Sequence, residues 1–229
     1  MRKLLAAAVA AAALAVPCAA QGAVTQSFST SQSEFDTGVR NQGWWSATVV
    51  NSDANDNYIV DSEQRNFFSF DLESACLASG VTLRLTRFDQ FGSFAYSLFD
   101  VSTAAATVNT NEGASPAIFA DLGTGTSFGS FPVAAGGATD VLSFPLNAAG
   151  VAAFSAARGG YFSIGGSVGE AGGYLFGFSG PPASGTQELV VTCAAPTATA
   201  QCKSGGWRDY ESFKNQGSCI AFVERGPKP

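Results

Sequence analysis

The chain has 229 residues, 46% of them hydrophobic and only 13% charged, with 26 glycines and no histidine. Its formal charge is −6, and without the two bases of its N-terminal leader it holds ten basic against 18 acidic residues, or −8. This balance disfavours nucleic acid and anionic membranes as partners, the hydrophobic fraction argues against a disordered chain, and the lack of His removes Ser-His-Asp and Cys-His catalysis and the usual zinc hydrolase ligands.

The segment "MRKLLAAAVAAAALAVPCAA", residues 1–20, places Arg2 and Lys3 before an apolar run from Leu4 to Val16 and then small residues. That is the layout of a secretory signal peptide, with cleavage after Ala20. The apolar run is too short for a typical membrane span. A lipoprotein reading would anchor Cys18, but Pro17 fits a lipobox poorly. No other apolar stretch reaches spanning length, so no membrane span is expected and the protein reads as secreted and extracellular. What remains is enough for one β-sandwich with a small appendage.

Residues 24–193 read as short strands broken by Gly, Asn, Asp and Ser. "VTQSFSTS" opens, followed by "NQGWWSAT", where Trp44 and Trp45 would point to opposite faces of a strand. One Trp would fill the core and the other would lie on the surface. An exposed indole stacks on the apolar face of a sugar ring while nearby Asp and Asn bond its hydroxyls. Trp44, Trp45, Tyr58, Asp53 and Asn55 are therefore the candidate binding residues. Asp53, Asn55 and Asn57 also match the start of an EF-hand loop, but Tyr58 stands where that loop needs Gly and Gln64 where it needs a bidentate Glu. The EF-hand fails, a looser calcium geometry stays open, and no metal or other cofactor is expected.

Strand signals continue with "NYIVD", "RNFFSFDL" and "GVTLRLTRF". In the last, Val81, Leu83, Leu85 and Arg87 alternate with Thr82, Arg84, Thr86 and Phe88, the period of a half-buried strand. "FAYSLFDV" precedes a looser region from Ser102 to Gly137, and "TDVLSFPL", "YFSIGGSV", "GYLFGFS" and "QELVVTC" complete the set. So many strands with polar turns predict a mainly β fold, an antiparallel, jelly-roll-like sandwich. One short helix is expected, in "LNAAGVAAFSAARGG". Asn147 would cap it, Leu146 and Val151 would staple it, and Gly159 would end it. Without His, hydrolysis would need a carboxylate pair. Asp53, Asp56, Asp61, Glu63, Asp71 and Asp100 are the candidates, and Asp71 and Asp100, each at the end of a strand, read as turn caps.

Residues 194–201, "AAPTATAQ", are uncharged and read as a linker to a tail unit, residues 202–229. The tail is rich in Trp207, Tyr210, Phe213, Ile220, Phe222 and Val223, and fits a helix or a hairpin turning at Asn215 to Gly217 about equally. Four cysteines remain after processing: Cys76, Cys193, Cys202 and Cys219. They allow three pairings. Cys202 with Cys219 is the local choice and leaves Cys76 with Cys193. A unit this short cannot bury enough surface to fold unaided, and closing its loop contributes about 3 kcal/mol.

The phrases "RNFFSFDL", "GVTLRLTRF", "YSLFDVST", "FADLGTGTSFG", "FPLNAAGVAAFSAARGGYFSIGGSV" and "YLFGFSG" occur in one order. Together, over residues 40–192, they resemble the secreted β-sandwich domain of bacterial exported proteins that often carry a PEP-CTERM sorting tail. The tail, with its Cys, Gly-Gly-Trp, Phe-Lys-Asn-Gln-Gly and Cys elements, is similar to a C-terminal motif of actinobacterial secreted proteins. The resemblance implies a jelly-roll-like sandwich outside the cell and assigns no activity. The sequence therefore reads as a secreted, non-enzymatic binding or envelope-interaction protein, whose partner is a carbohydrate or another envelope component. The alternative is a carbohydrate-binding module or degraded glycosidase.

Overall fold

A computed structural model describes residues 24–30, 41–50, 57–110, 113–169, 173–178, 187–210 and 212–226. The strands are β1 (Thr25–Ser29), β2 (Gln42–Ser46), β3 (Asn57–Val60), β4 (Gln64–Asp71), β5 (Ala78–Thr86), β6 (Asp89–Phe91), β7 (Phe94–Asp100), β8 (Ser127–Val133), β9 (Val141–Pro145), β10 (Tyr161–Val168), β11 (Tyr174–Phe178) and β12 (Gln187–Cys193). The helices are α1 (Ala105–Val108), α2 (Pro116–Asp121), α3 (Ala148–Ala156), α4 (Thr199–Cys202) and α5 (Gln216–Arg225). Among the described residues no helix is long and apolar enough to cross a membrane.

Every strand pairing among the described residues is antiparallel. One sheet runs β1-β12-β5-β9 and the second β2-β4-β10-β7-β8. With β2 set aside as an extra edge, the eight strands of these two sheets have the strand order of a jelly roll. A third sheet, β3-β11-β6, extends the sandwich at one end. The alternation expected for β5 holds: Val81, Leu83 and Leu85 point inward to meet Leu189 and Val191 of β12 and Phe144 of β9. Phe68, Phe70, Phe162, Ile164, Tyr96 and Leu98 form the opposing wall. The helix expected after Leu146 is α3; Asn147 Oδ1 accepts from Gly150 N at 3.1 Å, Phe154 is buried, and Gly159 takes a left-handed φ of 80°.

The structure corrects the expectation of a single helix. The looser region after Ser102 contains α1 and α2, which lie over the outer face of the second sheet. There Trp45 and Phe67 pack with Val108 and Leu122, so the β2-β4-β10 part of this sheet is buried on both faces. The signal for α2 stands in the sequence: Ser115 caps the helix through Ile118 N, and Pro116 occupies the first turn, where its missing N–H costs nothing. Beneath α1 buried polar side chains are linked in a chain. Asn109 Nδ2 donates to Ser69 Oγ at 3.0 Å, and Ser69 and Ser163 share a 2.7 Å hydroxyl contact. Beneath α2 the approach is closer still, since a Cβ on Gly165 would stand 2.5 Å from the Leu122 carbonyl oxygen.

The cysteines pair Cys76 with Cys193 and Cys202 with Cys219, each with Cα atoms 5.7 Å apart. Of the helix and hairpin readings of the tail, the helix is the one formed. Asn215 and Ser218 cap α5 reciprocally, and Gly217 falls in its first turn rather than its middle. The tail core of Cys202, Tyr210 and Cys219 packs on Leu77 and Ala194 of the main body. Asp209 ties the two together: its carbonyl accepts from Leu77 N at 3.3 Å and its carboxylate from Arg158 at 2.9 Å.

Gly165→Ala is expected to cost about 1–3 kcal/mol, because the atom it strikes is backbone and cannot swing aside. A urea midpoint equal to the wild type would show that α2 does not press on β10 in solution.

Candidate functional site

The three aromatic residues expected to form a sugar platform, Trp44, Trp45 and Tyr58, are all buried. Trp44 and Trp45 do point to opposite sides of β2, yet both are buried. Trp45 is covered by the helical segment, and its Nε1 donates to Val108 O at 2.9 Å. Tyr58 lies wholly inside, edge-on to Phe68 with ring centroids 5.1 Å apart, and its hydroxyl donates to Thr86 O at 2.8 Å. Burial pushes the Tyr58 phenol well above its ordinary pKa. The exposed Trp face expected from the sequence is thus corrected: α1 and α2 occupy the side that would have been open. Asp53, Asn55 and Asp56 lie outside the described residues. Asp61 and Asp71 cap turns, accepting from Glu63 N at 2.7 Å and Glu73 N at 2.9 Å. Among the described residues no group of three His, Cys, Asp or Glu is placed to hold a metal.

An aromatic surface does exist, on the third sheet. Tyr174 pairs with Phe91 and Phe176 with Asp89, and strand alternation sets these four residues on one outward face. Phe91 is 64% exposed, and its ring lies nearly parallel to that of Tyr174, 6.4 Å away and tilted by 16°. Phe88, 38% exposed, meets Phe176 edge-on at 6.1 Å. The Tyr174 hydroxyl donates to Asp89 Oδ2 at 2.5 Å. That hydrogen bond raises the phenol's pKa, so Tyr174 stays a protonated donor throughout the neutral range. The result is a partly exposed aromatic ledge beside a carboxylate. No model of a known family matches the chain, and no curated protein does either.

A buried cation supports the ledge. Arg87 continues the inward phase of β5 and is almost fully buried. Its guanidinium donates to the Gln90 side chain, to Ala134 O at 3.0 Å, and to the Asp140 carboxylate, while its Nε donates to Gly137 O at 3.0 Å. The backbone adds bonds from Arg87 N to Asp140 O and from Thr139 N to Arg87 O. Gln90 then reaches Gly92 O and Ala134 O, at 3.0 and 2.9 Å. The loop 134–140 and the strand that carries Asp89 and Phe91 are therefore fixed to one side chain. Gly136 has no room for a Cβ beside the guanidinium, and Thr139 takes a φ of 73°, so the loop is shaped around the cation.

Sequence reasoning passed over these residues although signals for them stand in the chain. Phe88 occupies the polar phase of "GVTLRLTRF", and "GYLFGFS" has large apolar residues on both phases.

The hydrogen bond from Arg87, with one from Gly137 N, holds Asp140 below the usual carboxylate range. A depressed folded pKa gives stability that is present above the ordinary Asp pKa of about 3.9 and lost as pH falls through the folded value. Asp140→Asn should therefore melt below the wild type at pH 7, with the gap narrowing as pH drops below about 4. A gap that is independent of pH would contradict the ion pair.

Proposed function

We propose that the protein is an exported, non-catalytic binding protein that holds carbohydrate on the outer face of the β3-β11-β6 sheet. One observation carries this reading: exposed Phe91 and half-exposed Tyr174 form a near-parallel ring pair beside Asp89 on the outward face of the sheet. Clustered exposed rings are costly in water and commonly mark a contact surface. A pyranose offers what such a surface takes, an apolar C–H face for the rings and hydroxyls for a carboxylate. Arg87 fixes β6 before any ligand arrives, so little ordering entropy is left to lose on binding. The leader-like first 20 residues, the two disulfides and the resemblance to exported sandwich domains support a place outside the cell. An envelope or matrix polysaccharide is the ligand this location favours. No hydrolytic step is assigned: the chain has no histidine, and Asp61 and Asp71 are engaged in turns.

Sedimentation with insoluble polysaccharides tests the proposal. The wild type should be retained by at least one, and Phe91→Ala and Tyr174→Ala should each weaken retention roughly tenfold or more. Phe91→Ala should leave stability within about 0.5 kcal/mol, because the ring it removes is mostly in solvent. Retention that does not respond to Phe91→Ala, or no retention on any polysaccharide, would sink this reading.

A further inference from the structure

A second surface, on the tail, differs in character from the aromatic ledge. Between residues 212–213 and α5 lies a groove of about 370 Å³ lined by Ser212, Phe213, Ser218, Ala221, Phe222 and Arg225. Phe213 and Phe222 form its apolar wall, edge-on with ring centroids 5.2 Å apart. Arg225 is exposed at one end and makes no ion pair with any described residue. The groove is built in advance of any occupant. The Cys202–Cys219 disulfide fixes α5 near its start, and the reciprocal Asn215–Ser218 caps set where the helix begins.

The charge of the chain divides sharply at this point. Residues 24–201 carry five basic and 15 acidic side chains, whereas residues 202–229 carry five basic and only three acidic ones. The tail is thus a +2 unit on a −10 body. Within the tail, Asp209 is already engaged by Arg158 of the body. The tail keeps a net positive charge, and a field of opposite sign from the body would steer an anionic partner away from the sandwich and toward the tail.

We propose that this groove is a docking site for an acidic peptide segment carrying an apolar side chain. The apolar side chain enters between Phe213 and Phe222, and the flanking carboxylates meet Arg225, with Lys214 next to Phe213 in the chain. Arg225 also lies in the last turn of α5, where a cation offsets the helix's negative end and makes room for a carboxylate that would otherwise be repelled. A partner protein exposing such a segment would be held by the tail while the sandwich holds its own ligand.

The test uses the full secreted chain and a fluorescein-labelled pentapeptide with phenylalanine between two acidic pairs, read by anisotropy. Saturable binding is expected, weakening as salt rises. It should be lost when the peptide's phenylalanine becomes alanine or its acids become amides. Arg225→Glu should weaken binding at least roughly tenfold while lowering the melting temperature only slightly, because this side chain is exposed and the fold loses only its offset of the helix end. Phe91→Ala should leave peptide binding unchanged, which separates the groove from the sugar face. The proposal fails if the peptide does not saturate the protein, if the neutral peptide binds equally, or if Arg225→Glu has no effect. It fails equally if the Arg225-dependent contact turns out to be with anionic vesicles or with a second copy of the chain and not with the peptide.

Discussion

The Arg87 guanidinium is the point on which the candidate site depends. It sits where the alternation of β5 would place another Leu, and it turns the end of a core strand into a clamp for the loop 134–140 and for β6. A buried cation is tolerated only if its donors are met, and here they are met by backbone carbonyls, Gln90 and Asp140. Removing it would leave those carbonyls facing one another with nothing to bond, a loss of about 2–3 kcal/mol. The ledge of Phe91 and Tyr174 inherits its rigidity from this one side chain.

The remainder of the sandwich is organised by coverage. The first sheet turns partly buried polar side chains outward, as the alternation in β5 and β12 shows. Over β2, β4 and β10 the second sheet is covered on both sides, by the core and by α1 and α2, which is why β4 reads as a nearly continuous run of buried residues. The Cys76–Cys193 bond ties the start of β5 to the end of β12 close to where the tail rests on Leu77 and Ala194. A unit too small for its own core thus borrows part of the body's surface and adds a disulfide.

Much of this was legible in the residues. Period-two alternation marked β5, the Asn147 cap and Gly159 marked α3, and the number of short strands marked an antiparallel sandwich. Two kinds of feature were not. Short helices such as α1 have four residues and little periodicity to show, and they exist because an apolar sheet face needs a cover. The fate of an aromatic side chain also depends on what lies over it. Alternation placed one of Trp44 and Trp45 at the surface, yet both are buried, whereas Phe91, on a three-residue strand, is in solvent. Local pattern assigns a face to a residue and leaves undetermined which faces the rest of the chain will cover.

The measurement closest to the central claim is an NMR titration of the aromatic side chains with a soluble oligosaccharide from a polysaccharide that retains the protein. The account predicts that the ring signals of Phe91 and Tyr174 shift together and saturate, while those of Trp44, Trp45 and Tyr58 stay in place. Shifts confined to the two tryptophans, or rings of Phe91 and Tyr174 indifferent to the sugar, would contradict it.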